Sequence, residues 1–159
     1  MNMCCPKPYS TKGGMGVELL KREEVASEII KTLKRNLPDH SVTCKMRLLQ
    51  TPPQSLQFIR CMELSGADAV TVECRLPEEK AKDQVRHSHL KQLLLLSSSL
   101  PPPLSLPIIG NGDLFERQLF QPFLQYTGLS SSLFFLFFFF SLLLFFSLLT
   151  VLCVKGQVQ

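Results

Sequence analysis

Short apolar strands alternate with longer helical segments along the first 126 residues, and this alternation constrains the fold more than any other feature. Strands are predicted at 42–47, 69–72 and 107–109, so that successive strands begin roughly 30 residues apart. A helix is predicted from residue 23 to 37, because Val25, Ile29, Ile30 and Leu33 recur at helical spacing. Alternating strands and helices are typical of βα units that build a parallel sheet. The pattern alone does not choose between a βα barrel and a doubly wound sheet.

Polar residues follow directly after the predicted strands. They lie at 2–7, at Lys45 and Arg47, at 73–75 and at 111–113. In both kinds of parallel α/β fold the carboxyl ends of the strands carry the active site. The sequence therefore predicts a site formed by these segments. Residues 1–16, with two prolines and three glycines, are predicted to form a loop without regular structure. A further helix is predicted from 114 to 126.

The composition restricts the classes of partner and ligand. A net charge of +4 and a pI of about 8.8 permit a nucleic-acid partner without requiring one. Six cysteines are present, but none has C-x-x-C spacing and no histidine stands at a usual ligand offset, so no metal site is predicted. The first residues do not resemble a signal peptide. Free thiols in a reducing compartment are expected, which favours the cytoplasm and leaves a nuclear or mitochondrial location open.

Two low-complexity runs interrupt the alternation, at 93–107 and at 129–149. The second opens an uncharged apolar stretch, 133–154, that is long enough to span a bilayer as a helix. Phe, Leu, Ser and Pro can all be encoded by pyrimidine-rich codons, so a translated intron is favoured over a membrane anchor. The expected division is a domain at 1–131, with 93–107 as a low-complexity insertion, and a hydrophobic tail at 132–159.

Residues 2–7 (NMCCPK) and 9–16 (YSTKGGMG) together resemble the active-site loop of the tRNA-dihydrouridine synthases, and among these the eukaryotic type-2 enzymes most. Residues 43–47 (TCKMR) and 108–113 (IIGNGD) resemble later strands of the same family. The likeness runs from residue 1 to about residue 131. It implies an α/β fold, namely an incomplete TIM (β/α)8 barrel that holds about strands 3 to 6 and is followed by the hydrophobic tail.

The resemblance also implies a reaction. NADPH would reduce FMN, and the flavin would then reduce the C5=C6 bond of a uridine in the D-loop of tRNA. By its place in the motif, Cys5 would be the catalytic proton donor to C5, and a thiol can hold and release a proton near neutral pH. Asn2 would lie beside the reacting base.

The same resemblance assigns the binding residues. Lys45 would stabilise negative charge on the reduced flavin, and Asn111 with Gly112 would hold the FMN phosphate. Lys7, Lys12 and Arg75 would contact phosphates of the tRNA. These assignments imply FMN as the cofactor, NADPH as the reductant and tRNA as the partner.

The chain departs from the family pattern at several points. Glu73 stands where the family has a histidine that touches the flavin, and a carboxylate there would oppose an anionic flavin. Strands 1 and 2, a later phosphate-binding strand and a C-terminal tRNA-binding domain have no counterpart, so the chain alone is expected to be poorly stable, nearly inactive and without stoichiometric flavin. Two other hypotheses stay open: a non-catalytic protein anchored by helix 133–154, and a tRNA-binding module.

Overall fold

The computed structural model describes residues 1–114 and 117–129. The strands are β1 (Thr43–Arg47), β2 (Ala69–Glu73) and β3 (Ile108–Asn111). The α-helices are α1 (Pro8–Thr11), α2 (Glu23–Asn36), α3 (Pro52–Leu64), α4 (His87–Ser98) and α5 (Phe120–Thr127). Two 3-10 helices, Gly16–Lys21 and Arg117–Leu119, precede α2 and α5. The predicted alternation of strands and helices is confirmed.

The three strands form one parallel sheet in the order β1-β2-β3. Residues 1–3 extend this sheet beside β1, because Asn2 forms a parallel bridge with Lys45 and the Met3 N–H donates to the Lys45 carbonyl oxygen at 2.8 Å. All carboxyl ends of these strands consequently lie at one edge. The predicted α/β class with a parallel sheet is confirmed.

Side chains on one face of the sheet are buried in the main core. Cys44 and Met46 of β1, with Val70 and Val72 of β2, are at most 2% exposed. They belong to one apolar cluster with helix residues of α2, α3 and α4, namely Ile30, Phe58, Ile59, Met62, Leu90 and Leu93. Because strand side chains alternate between faces, the residues between them lie on the opposite face.

Local sequence explains where the central helices begin. Glu23 and Glu24 occupy the first turn of α2 and Lys34 and Arg35 its last turn, which complements the helix dipole. Thr51 caps α3 through a capping box with Gln54, and this arrangement satisfies two backbone N–H groups at the start of the helix.

Two predictions at the ends of the described region were wrong. Residues 1–16 are not free of regular structure, because Pro8 opens the one-turn helix α1. A proline is tolerated in a first turn, where its missing N–H would have no helical partner. The last α-helix begins at Phe120 rather than at residue 114, after the 3-10 turn Arg117–Leu119.

The low-complexity run 93–107 is divided between α4, which continues to Ser98, and a loop ahead of β3. Glu63 fixes that loop to α3, since its Oε1 accepts hydrogen bonds from the N–H groups of Ser105 and Leu106 at 2.6 and 3.2 Å. The predicted tail 132–159 and helix 133–154 lie outside the described residues. Within 1–114 and 117–129, no helix is long and apolar enough to cross a bilayer.

Candidate active site at the carboxyl edge of the sheet

The residues predicted for the site converge on the carboxyl edge of the sheet. Arg47, Glu73 and Asn111 stand side by side at the ends of β1, β2 and β3. Asn2 lies next to Lys45 across the parallel bridge, so the loop that follows Asn2 leaves the sheet at this same edge. The side-chain Oδ1 of Asn2 accepts a hydrogen bond of 2.9 Å from the Cys4 N–H and thereby fixes the first turn of the loop.

The loop closes back on Cys5 through a tightly packed glycine. The Cys5 carbonyl oxygen accepts a hydrogen bond of 3.1 Å from the Val17 N–H. Gly16 has a φ of +61°, and a Cβ atom added there would lie 2.3 Å from the Cys5 oxygen and 2.6 Å from Ser10 Oγ. Only glycine fits such a close approach in this conformation. The backbone position of Cys5 is therefore fixed from both sides.

The Cys5 side chain is half-buried and faces hydrogen-bonding groups. Its Sγ lies 3.8 Å from Tyr9 Oη. The pKa of the Cys5 thiol is lowered, chiefly by the backbone N–H of Lys7; burial opposes this effect, while the hydroxyls of Tyr9 and Ser10 add to it. A lowered pKa increases the share of reactive thiolate near neutral pH.

Cys4 differs chemically from its neighbour. Burial raises the pKa of the Cys4 thiol to about 12, although the charge of Lys45 acts in the opposite direction. A thiol with a raised pKa carries little thiolate near neutral pH and reacts poorly. Of these two adjacent cysteines, Cys5 is thus the one suited to proton transfer.

Lys45 lies on the face of the sheet opposite the main core, as its alternation with Cys44 and Met46 predicts. The residues in register with it on β2 and β3 are Thr71 and Ile109, and all three are half-buried. This face of the sheet therefore presents, across the three strands, the ammonium group of Lys45, the hydroxyl of Thr71 and the apolar side chain of Ile109.

Glu73 and Arg75 form an ion pair, with Arg75 Nη1 at 3.1 Å from Glu73 Oε1. Arg75 Nη2 also contacts Asp113 Oδ2 at 2.6 Å, and the same guanidinium donates to the carbonyl oxygens of Ala81 and Asp83. The Arg75 side chain is only 6% exposed. The structure thus speaks against the predicted phosphate contact for Arg75, because the guanidinium is buried among internal acceptors and joins three segments of the edge.

Asn111 and Gly112 lie where β3 ends and are packed against the loop after β2. Asn111 is buried, and its carbonyl oxygen accepts a hydrogen bond of 2.8 Å from the Cys74 N–H. A Cβ atom added to Gly112, whose φ is +148°, would lie 3.1 Å from Cys74 Cβ. His87 Nε2 lies 3.2 Å from the Gly112 carbonyl oxygen. The backbone of Gly112 is therefore closely enclosed.

Sequence reasoning missed three residues that shape this edge. Arg47 was noted only as a polar residue after a strand, yet it is buried and bonded to backbone carbonyls. The sequence indicates Tyr9 only as a member of the segment 9–16, and it indicates no role for His87. The spacing of four residues between Cys5 and Tyr9 across a proline turn was a usable signal. The predicted tRNA contacts Lys7 and Lys12 are exposed on the loop.

The profile of the family described as dihydrouridine synthase (Dus) matches residues 1–133. The chain belongs to the dihydrouridine synthase family. Its curated relatives include the tRNA-dihydrouridine(20) synthases [NAD(P)+] of Schizosaccharomyces pombe, 28% identical over 71% of this chain, and of Saccharomyces cerevisiae, 28% identical over 76%. A tRNA-dihydrouridine(16) synthase of Neisseria meningitidis is 30% identical over 82% of this chain. Family membership is thus confirmed.

This member of the dihydrouridine synthase family spans a minor part of the relatives it matches. The matched regions cover 23%, 31% and 38% of those three proteins.

Proposed function

We propose that this chain carries the catalytic loop and part of the flavin-binding barrel of a tRNA-dihydrouridine synthase. The observation that carries the proposal is the parallel bridge between Asn2 and Lys45. It brings the loop with the Cys5 thiol to the strand that carries a half-buried cation. A proton donor and a cation at the same edge of the sheet are the combination that reduction of a polarised double bond requires.

The parallel sheet agrees with part of a (β/α)8 barrel. We assign residues 1–3 and β1, β2 and β3 to about strands 3 to 6 of such a barrel. Four adjacent parallel segments joined by helices fit this assignment. In this arrangement the row of Lys45, Thr71 and Ile109 faces the barrel interior, and the edge described above forms the active-site end.

The residues at the edge fit an anionic flavin cofactor. Lys45 supplies a positive charge on the interior face, and the carboxylate of Glu73, which would oppose an anion, is partly offset by its ion pair with Arg75, which also pairs with Asp113. Asn111 and the closely packed Gly112 would hold the phosphate through the backbone at a strand end. FMN, when bound and reduced by NADPH, would supply a hydride to C6 of the uracil ring.

The residues of the loop would complete the reduction. Cys5 would donate its proton to C5, so that the S–H bond breaks, a C5–H bond forms and the thiolate remains. The backbone N–H of Lys7 stabilises that thiolate. Asn2, which is exposed and already holds the Cys4 N–H, would orient the base.

Exposed cations near the thiol favour an RNA substrate. Lys7 and Lys12 flank Cys5 on the exposed surface of the loop, where they would contact tRNA phosphates. The names of the relatives specify uridines of tRNA, and we extend that substrate class to this chain. Reduction is proposed for a uridine of the D-loop, in the cytoplasm, the nucleus or mitochondria.

The test uses the native gene product, purified from its own cells and incubated with FMN, NADPH and an unmodified tRNA transcript. Dihydrouridine would be measured by mass spectrometry of the digested RNA. We expect Cys5→Ala to reduce its formation by about two to four orders of magnitude, as loss of a general acid does. Cys61→Ala, which removes a half-buried thiol on α3, is the matched control. Wild-type activity in the Cys5 variant, or no dihydrouridine with the unaltered protein, would contradict the proposal.

A further inference from the structure

The hydroxyl of Tyr9 is one of the side-chain groups that contact the Cys5 thiol. The distance between Cys5 Sγ and Tyr9 Oη is 3.8 Å, which is within reach of a hydrogen bond to sulfur. Tyr9 is 74% exposed, an unusual position for an aromatic residue. Packing therefore does not explain its placement, and its contact with the thiol requires a separate explanation.

Hydrogen bonds hold the backbones of these two residues in place. Tyr9 belongs to the single turn of α1, and the next residue, Ser10, is buried. The Ser10 carbonyl oxygen accepts hydrogen bonds from the N–H groups of Gly13 and Met15 at 3.2 and 3.1 Å. Cys5 is fixed by Val17 and by the close approach of Gly16, as described above. The backbones of the two residues therefore keep their relative position, and rotation of a side chain is what would separate the sulfur from the hydroxyl.

Several groups act on the thiol, and they differ in whether they can accept a hydrogen bond as well as donate one. The amide and the ammonium group of Lys7 and the hydroxyls of Tyr9 and Ser10 act on Cys5, whereas Lys45, Arg47 and Glu73 act on Cys4. Lys7 can only donate hydrogen bonds to sulfur. A hydroxyl can either donate or accept one, so Tyr9, like Ser10, can serve both protonation states of Cys5 without a change of position.

We propose that Tyr9 is a positioning residue for Cys5, accepting a hydrogen bond from the thiol and donating one to the thiolate that remains after proton transfer. The hydroxyl rotates about its C–O bond, and no heavy atom moves. This inference rests on the proposed function for its place in the reaction. Its chemistry concerns the sulfur atom alone and can be measured without flavin or RNA.

The experiment measures the rate at which iodoacetamide alkylates Cys5 in the full chain as a function of pH, with the site read by peptide mass spectrometry. We expect Tyr9→Phe to move the midpoint of this profile upward by about half to one pH unit, since one exposed hydrogen bond to the thiolate is lost. Tyr126→Phe is the matched control, because Tyr126 is also exposed but contacts Lys91 on α4. Its midpoint should equal that of the unaltered chain.

A second variant separates the hydroxyl from the ring. Tyr9→Leu removes both and should give the same shift as Tyr9→Phe. Equal midpoints for Tyr9→Phe and the unaltered chain, or a shift confined to Tyr9→Leu, would overturn the inference. Failure of the proposed function would be seen in the dihydrouridine assay, as product formation that does not depend on Cys5. That result would leave the alkylation profile unaffected.

Discussion

The Nε atom of Arg47 donates a hydrogen bond of 2.9 Å to the carbonyl oxygen of Cys4 and so ties the loop that carries Cys5 to the end of β1. Nη1 of the same guanidinium donates to the carbonyl oxygens of Leu76 and Glu79. Arg47 is 8% exposed. One buried side chain thus fixes the loop before Cys5 relative to the loop after β2.

Replacement of Arg47 by Met should destabilise the fold and loosen the thiol loop. Three carbonyl oxygens, one in a buried and two in part-buried contacts, would lose their donors, and we expect a loss of about 2 to 4 kcal/mol in the free energy of unfolding. Urea denaturation measures this loss. Arg35→Met, an exposed change at the end of α2, should cost less than about 0.5 kcal/mol. Equal effects of the two changes would show that the bonds of Arg47 do not stabilise the loop.

Replacement of Glu73 by Gln should change stability and flavin affinity in opposite directions. The Arg75 guanidinium would lose a charged partner, and we expect unfolding to become easier by about 1 kcal/mol. The edge would also lose a negative charge, so added FMN should bind more tightly. Thermal unfolding and quenching of FMN fluorescence measure the two effects. Weaker FMN binding by the variant would indicate that Glu73 supports the cofactor.

Lys7→Ala and Lys12→Ala should each weaken tRNA binding and lower its salt dependence. Each variant should reduce the slope of log K against log salt by about 0.7 to 0.9, as loss of one phosphate contact does. Binding would be measured by filter retention over a range of salt concentrations. Lys31→Ala, also exposed but on α2, should leave the slope unchanged. A similar loss of slope in all three variants would point to non-specific attraction.

Glu63 should contribute to stability at neutral pH but not in acid. Burial alone would raise the pKa of its carboxyl group, but hydrogen bonds from Ser105, Arg60 and Leu106 hold that pKa below the ordinary value of 4.5. A group with a depressed folded pKa stabilises the fold above its unfolded pKa, and this contribution is lost as the pH falls through the folded pKa. The unaltered chain should therefore lose more stability below pH 4.5 than Glu63→Gln does. Parallel curves of the urea midpoint against pH would contradict this expectation.

Local patterns predicted those parts of the site that depend on local geometry. Lys45 was placed on the face opposite Cys44 and Met46 because strand side chains alternate, and the structure agrees. The polar residues after each strand meet at one edge because parallel strands end together. Both inferences need only the two-residue period of strand side chains and the parallel direction of the neighbouring strands.

Long-range contacts explain the predictions that were wrong or absent. Arg75 follows a strand like the other predicted site residues, but its acceptors come from residues 81 and 83 in an irregular loop and from Asp113, which lies 38 residues later. No local pattern specifies such partners. The prolines of residues 1–16 predict a loop, but a proline is compatible with a helix when it occupies the first turn, as Pro8 does in α1. The three bonds of Arg47 likewise depend on a loop conformation that periodicity does not describe.

The alternation along β1 implies that the chain tolerates changes of residue type there better than changes of length. Deletion of Cys44 would shift the register of the following residues by one position, so that their side chains would exchange the two faces of the sheet. Lys45 would then point into the apolar core, and a methionine would take its place beside Asn2. Gene variants with an in-frame loss of one codon in β1 should therefore abolish both folding and the arrangement of the site. Many single substitutions on the same strand should leave the fold intact.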